Sequence, residues 1–334
     1  SVNTPPNKDI RWEKTTTVNV GVDFALFRHR LSGTIEYYNK YSVDLLAAIN
    51  GSPTQGFGYT TLMTNNGKMV NRGVEITLSG EIIRQKDFSW NASLLYAFNR
   101  NKVKHISVQP SLWDSRISMP TSYPMVGKPL YGIYAYKWAG LNENGDPQVY
   151  DAENNVTSGP ARDYHALVYC GTTVPIHNAS LTNVLRYKGF EFSAMLILDA
   201  GHKLRSSNIP SINMSNGRIT STAKGIVDRW TQPGDVTDVP RLLFSNDTEN
   251  FNTHRTELYR YSDLFVYDAS NIRLSNISLA YRVPAHWCKK ISLSGARLQF
   301  NVENVATFAF DSKANYDLGG KVKPNYVWGL YLNF

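Results

Sequence analysis

Asp163, His165 and Cys170 fall within one short stretch and supply the side-chain types of a nucleophile, its base and an orienting carboxylate. All three sit in a long polar segment, so a catalytic role is not expected of them. Asn142-Glu143-Asn144-Gly145-Asp146 sets oxygen ligands at a spacing faintly like a calcium loop. An Asn-Gly pair between Leu141 and Val149 more simply makes a tight hairpin turn. Gly56-Phe57-Gly58 lacks the third glycine and the βαβ setting of a dinucleotide loop, and neither GxSxG, HExxH nor the phosphate-loop GxxxxGK pattern occurs. Cys170 and Cys288 have no CxxC partner and no histidine at metal spacing. No enzyme activity, cofactor or metal is expected from these residues.

What remains is binding chemistry. The stretch from Ser107 to Pro175 carries Trp113, Tyr123, Tyr131, Tyr134, Tyr136, Trp138, Tyr150, Tyr164 and Tyr169. Aromatic rings with polar tips suit sugars or peptides in a half-wet pocket, and the same rings equally serve to pack loops together. The stretch from Arg205 to Asp263 is rich in amides and hydroxyls, with Asn208, Asn213, Ser215 and Asn216 near its start. Such groups hydrogen-bond a ligand's backbone or hydroxyls without strong discrimination. The expected substrate contacts are therefore Trp113, Tyr134, Asn208, Asn213, Ser215 and Asn216.

The elements that would position these residues are extended. Of 334 residues 19% are charged and 12% aromatic, with 20 Tyr, and the mean hydropathy is −0.34. No apolar run approaches the roughly 18 to 20 residues of a membrane helix, which leaves a membrane β-barrel open. The net charge of +8 is dispersed, its densest point being Arg28-His29-Arg30, so no nucleic-acid partner is expected. No secretory leader stands at Ser1, so the chain is a mature product, a cytosolic protein or a piece of something longer, and the last is the expectation.

Strict alternation of apolar and polar residues recurs along most of the chain. Val18, Val20, Val22, Phe24 and Leu26 share a face, as do Leu31, Gly33, Ile35, Tyr37, Tyr41, Val43 and Leu45. Further stripes are Val74-Ile76-Leu78, Phe88 to Phe98 by twos, Leu181-Leu185-Tyr187, Phe190 to Leu198 by twos, Leu298-Phe300-Val302 and Tyr326 to Phe334 by twos. Between Ile272-Leu274 and Ile277-Leu279-Tyr281-Val283 the phase slips by one, the mark of a bulge. These nine segments are joined alternately by short links (28–30, 84–87, 188–189, 284–290) and long ones (50–72, 107–175, 205–263, 311–324). Outer-membrane barrels alternate in the same way, with short periplasmic turns and long outer loops. Starting outside, nine strands bring the chain end to the periplasm. The all-apolar faces would meet lipid and the faces carrying Glu36, Lys40, Glu75, Arg297 and Glu303 would meet water, because a charge in hydrocarbon costs about 2–4 kcal/mol. Tyr187, Trp90 and Tyr326 would sit at headgroup level. Cys170 in an outer loop and Cys288 in an inner turn would lie a bilayer apart, too far to be joined. A one-sided sheet in a soluble β-rich glycan-binding protein or enzyme would alternate likewise.

A resemblance bears on that choice. Trp12-Glu13-Lys14-Thr15-Thr16, Ile35-Glu36-Tyr37-Tyr38-Asn39, Asn71-Arg72-Gly73-Val74-Glu75-Ile76, Gly127-Lys128-Pro129 with Tyr131-Gly132, Arg229-Trp230 before Pro233-Gly234-Asp235, Asp268 to Leu274 and Asn301-Val302-Glu303-Asn304 occur in an order that resembles the C-terminal region of SusC/RagA-type TonB-dependent transporters. The terminal aromatic Phe334 after alternating apolar residues resembles the outer-membrane assembly signal. The resemblance spans the whole chain. It implies an all-β fold, a transmembrane antiparallel β-barrel of 22 strands with a plugged lumen, of which residues 1–334 would form about nine C-terminal strands with long extracellular loops. It further implies TonB-dependent active import of oligomeric nutrients, peptides or glycans, across a bacterial outer membrane. The implied partners are the plug and remaining strands of the same transporter, TonB acting through an N-terminal part, a SusD-like surface lipoprotein as lid, and lipid and lipopolysaccharide, assembled as a dimer of transporter-lipoprotein pairs. A passive porin is the rival within membranes.

Overall fold

The computed structural model describes residues 7–50, 61–108, 115–159, 161, 163–214, 222–244, 253–318 and 323–334. Its frame is a single sheet of nine strands in sequence order: β1 (Lys14–Leu26), β2 (Leu31–Asn50), β3 (Thr61–Arg84), β4 (Phe88–His105), β5 (His177–Tyr187), β6 (Phe190–Ala200), β7 (Asn271–Arg282), β8 (Gly295–Ala309) and β9 (Asn325–Asn333). Every neighbouring pair is antiparallel. β2 and β3 run for 20 and 24 residues, several times a usual soluble strand.

Register turns the separate stripes into one surface. Val22 lies opposite Ile35, Ile35 opposite Ile76, Ile76 opposite Tyr96 and Tyr96 opposite Ala179; the row continues through Leu198 and Ile272 to Phe308. One residue over, Asp23, Thr34, Thr77, Leu95, Ser180, Ile197, Arg273 and Thr307 form the matching row of the other face. A slip of one residue in any pair would exchange the faces, so each strand's alternation fixes its neighbour's register. The ladder breaks between Leu274 and Asn276, where the sequence phase slips.

The apolar face is not covered by any described part of the chain. Val20 is 61% exposed, Ile35 45% and Leu196 36%. Phe300 is half-buried, with its in-sheet neighbours against it, Trp328 at 4.2 Å and Tyr326 at 6.3 Å between ring centroids. Two polar side chains of β5 on the apolar face find aromatic partners: Trp90 Nε1 donates to Asn183 Oδ1 at 3.1 Å, and the Tyr96 hydroxyl bonds His177 Nδ1 at 2.8 Å. The opposite face is laced with ions. Glu191 takes Arg186 at 2.8 Å and Arg297 at 3.2 Å, and Asp199 takes Arg273 at 3.1 Å and the Asn178 amide at 2.7 Å. Gly73 is required on that face, since a Cβ there would lie 2.4 Å from the Tyr38 ring.

Two expected links differ. β2 and β3 remain paired out to Asn50 and Thr61, so the link from 50 to 72 shrinks to residues 51–60, which lie outside the described residues together with Gly56-Phe57-Gly58. Between Thr61 and Arg72 neither face is continuously apolar, so extended chain there leaves no period-two signature. The inner link after β7 holds a helical turn, Ala285–Lys289, whose Cys288 is buried.

The two long links are folded. The segment between β4 and β5 contains a two-stranded sheet (Gly132–Tyr136 with Leu167–Thr172) and a three-stranded one (Trp138–Leu141, Pro147–Tyr150, Val156–Thr157). The segment between β6 and β7 contributes the helix Thr253–Arg260 and the pair Lys203–Arg205 with Val266–Asp268. The two apolar clusters of the described residues lie here: Tyr134, Tyr136, Val149, Leu167 and Leu258 in one, Ile212, Tyr259 and Phe265 in the other.

Candidate functional site at the long-link end

Buried charge ties the two folded links together. Arg255, on the helix Thr253–Arg260, is 2% exposed. Its Nε donates to Asp146 Oδ1 at 2.7 Å, Nη1 to Asn213 Oδ1 at 2.5 Å and Nη2 to the Arg241 carbonyl at 2.7 Å. Asp146 also receives Arg241, through Nε at 3.1 Å and Nη2 at 2.9 Å. One carboxylate thus meets two guanidinium groups, and a charge that would be costly alone is paired on every side. Asp146 is placed by the expected hairpin turn: Asn142 N donates to the Asp146 carbonyl at 2.9 Å, and Asn142 Oδ1 accepts from Asn144 N and Asp146 N. Gly145 there has φ +73°, and the Trp230 ring occupies the space a Cβ would need. The carboxylate that a calcium loop would use is held by arginine.

A second clamp lies at Arg205. Its Nη2 donates to the Tyr134 carbonyl at 2.6 Å and its Nη1 to the Arg260 and Ser262 carbonyls, each at 3.2 Å. Burial pushes this guanidinium below its usual pKa. Trp138 joins in through its backbone N–H to Asp263 and its indole N–H to Asp238, at 2.9 and 3.0 Å. Ser207 reaches the last long link, donating from N and Oγ to Asp317 Oδ1.

Of the residues expected to contact substrate, Asn208 is exposed at this end, its N–H held by Ser206 Oγ at 3.0 Å. Asn213 is engaged with Arg255. Tyr134 is 1% exposed: its ring packs 5.9 Å from that of Tyr169, and its hydroxyl accepts from Met125 N. Trp113, Ser215 and Asn216 lie outside the described residues. Tyr136, Tyr164 and Tyr169 also belong to the loop core or pack on it. Asp146, Arg205, Arg241 and Arg255 were not singled out by sequence reasoning for the role they play.

The nucleophile reading has no geometry behind it. Asp163 Oδ1 caps a short turn by accepting from His165 N at 2.8 Å, and the His165 ring lies tilted against Tyr164, 4.2 Å between centroids. Burial, with the Asp263 carboxylate nearby, pushes the Cys170 thiol up to about 11. A thiol there is neutral at ordinary pH and a poor nucleophile. Both cysteines are free. What this end of the molecule offers among the described residues is hydrogen-bonding surface, Asn208 included, on links clamped at Asp146 and Arg205.

Known proteins share this fold. A family model described as "TonB dependent receptor-like, beta-barrel" matches residues 1–305. "TonB-dependent receptor P3" of Formosa agariphila is 25% identical over 346 aligned positions, covering 97% of this chain and 33% of its own length. "TonB-dependent receptor SusC" of Bacteroides thetaiotaomicron is 25% identical, covering 89% of this chain and 29% of its own. The chain thus spans about a third of the length of the curated relatives it matches, and these are receptors rather than enzymes. Among solved structures, one titled "Structure of the RagAB peptide transporter" superposes with a TM-score of 0.76 at 23% identity, over 100% of this chain and 37% of that one. The uncovered apolar face, the charged opposite face and the folded long links are those of an outer-membrane barrel wall, and the chain belongs to the TonB-dependent receptor-like β-barrel family.

Proposed function

We propose that this chain forms part of the wall and outer loops of a transporter that imports an oligomeric nutrient, peptide or glycan, across the outer membrane in a TonB-dependent manner. The observation that carries the reading is the register-matched apolar face that no described part of the chain covers, in a chain of this family. Such a face is stable against acyl chains and costly against water. β1 and β9 each carry one unpaired edge in the described sheet, and open edges are not tolerated in lipid. They therefore pair with further strands of the same transporter, in a barrel of 22 around a plug. The short-turn end, where Ser294 N donates to the Asn333 carbonyl, is periplasmic, and with it the chain end.

The long links face outward beneath a SusD-like lipoprotein, and two such pairs form the dimer. A peptide substrate is favoured over a glycan by the neighbour titled as a peptide transporter. Asn208, with Trp113, Ser215 and Asn216, contacts the substrate, while Tyr134 and Asn213 hold the loops that present them. Uptake of labelled oligopeptides and oligosaccharides by cells carrying the full transporter tests the reading. Uptake that a protonophore abolishes is expected; uptake indifferent to it would make the protein a passive pore.

A further inference from the structure

β4 changes character at one point. From Phe88 to Phe98 every second residue is apolar, and the next two on the same face are Arg100 and Lys102. Extended chain from Phe88 to Phe98 is about 33 Å long, which at a strand tilt of about 40° projects to about 25 Å, the height of a barrel's apolar band. The switch therefore falls where the acyl chains of the outer leaflet end. β3 does the same: Leu78, Ile76 and Val74 are followed on their face by Arg72.

The two switches coincide. Arg72 lies directly opposite Arg100, and Lys102 is opposite Val70 in the next row. Like charges directly opposite in a ladder destabilise it. Here nothing neutralises them: Arg72, Arg100, Lys102, Lys104 and Lys128 line one hollow of about 450 Å³, no Asp or Glu is among its lining residues, and none of the five pairs with a carboxylate among the described residues. The hollow is built. Its floor is the outer end of β3 and β4. Its far wall is chain that hydrogen-bonds β4 on either side of the basic pair, with Asn99 N donating to the Ile176 carbonyl and Val103 N to the Lys128 carbonyl, both at 2.9 Å. Lys128 is further held with its Nζ 4.8 Å over the Tyr169 ring.

We infer that this hollow binds the phosphorylated headgroup of an outer-leaflet glycolipid, with the lipid's acyl chains lying on Phe98, Val74 and the stripe below. Guanidinium groups fork onto phosphate oxygens, and several cations at one site match a headgroup carrying more than one phosphate monoester. The phosphate supplies the countercharge that the Arg72–Arg100 pair lacks. The continuity with the apolar stripe selects a lipid over a free anion. This rests on the same assignment of the apolar face to lipid as the proposed function.

The test uses the full transporter extracted in mild detergent, with bound lipid measured by native mass spectrometry. Compared are the wild type, the triple variant Arg72→Gln/Arg100→Gln/Lys102→Gln, and Lys188→Gln at the opposite end of the sheet, which removes a charge without touching the hollow. Removing like charges from two neighbouring ladder rows should not impair assembly, which the heat-modifiable shift of the folded band checks. The triple variant is expected to retain about tenfold less phosphoglycolipid than Lys188→Gln, in keeping with the loss of charge-assisted phosphate contacts. Wild type should retain enzymatically dephosphorylated lipid no better than the triple variant does. Equal retention by all three proteins overturns the site. So does equal retention of the dephosphorylated lipid, or displacement of the lipid by inorganic phosphate alone, which would make it a free-anion site. Uptake is scored separately: a wild type that holds lipid but imports nothing keeps this site and loses the transport reading.

Discussion

Asp146 meets Arg241 and Arg255, residues 95 and 109 positions away, and so joins two links that emerge from different strands. Replacing it by Asn leaves the buried Arg255 guanidinium without its carboxylate, at a cost of about 3 kcal/mol by the measured range for broken buried pairs. Asp146→Asn is therefore expected to raise amide exchange and protease cutting in both links, leaving β1 to β9 protected; unchanged exchange in residues 201–244 would refute the coupling. Cys170 gives a pH test. Its thiol is raised to about 11, so the thiolate is scarce below that pH, and alkylation at pH 8 should be much slower than in the denatured chain, rising as pH approaches 11. Alkylation as fast as in the denatured chain would show an exposed, ordinary thiol. Asp146 was legible only as part of a turn, because the Asn-Gly signal is local and the arginines it meets are not. Tyr134 and its neighbours have the same composition whether they face a ligand or each other, and burial, which composition does not encode, decided it.

Strands were the most legible elements, for a physical reason. Where one face meets hydrocarbon, every second residue must be apolar, and the named stripes from Val18 to Phe334 fall in strands of the sheet, with Val283 and Phe334 one residue past their strands' ends. Beyond the band that rule lapses, and the first turns of β3 were read as a link. The bulge in β7 announced itself by a phase slip, whereas the irregularity near Leu45, with Asp44 at φ 57°, did not, since its neighbours are apolar in both phases. Leu95 is the informative exception: apolar, 53% exposed, and on the charged face. Adjacent substitutions on β4 separate the faces. Leu94→Arg is expected to cost about 2–4 kcal/mol and lower the yield of folded, heat-modifiable protein, while Ser93→Arg is expected to be tolerated. Equal loss from both would mean that the two sides of β4 are equally dry.

At the scale of the whole molecule, both apolar clusters of the described residues sit in the links and neither draws on the nine-stranded sheet, the reverse of a soluble domain and the arrangement a barrel wall needs. Sidedness follows. A membrane-impermeant maleimide should label Val156→Cys, on an exposed edge of the long-link fold, in intact cells, and should reach Trp287→Cys, in the turn after β7, only after the outer membrane is opened. The opposite pattern would invert the topology. The most direct measurement places spin labels singly at residues 93 to 98 of β4 in the full transporter, reconstituted in lipid, and compares their collisions with dissolved oxygen and with a water-soluble nickel chelate. Oxygen should dominate at 94, 96 and 98 and the chelate at 93, 95 and 97, Leu95 included. A label at 94 or 96 shielded from both reagents would mean that protein covers that face, and the lipid-facing wall would have to be abandoned.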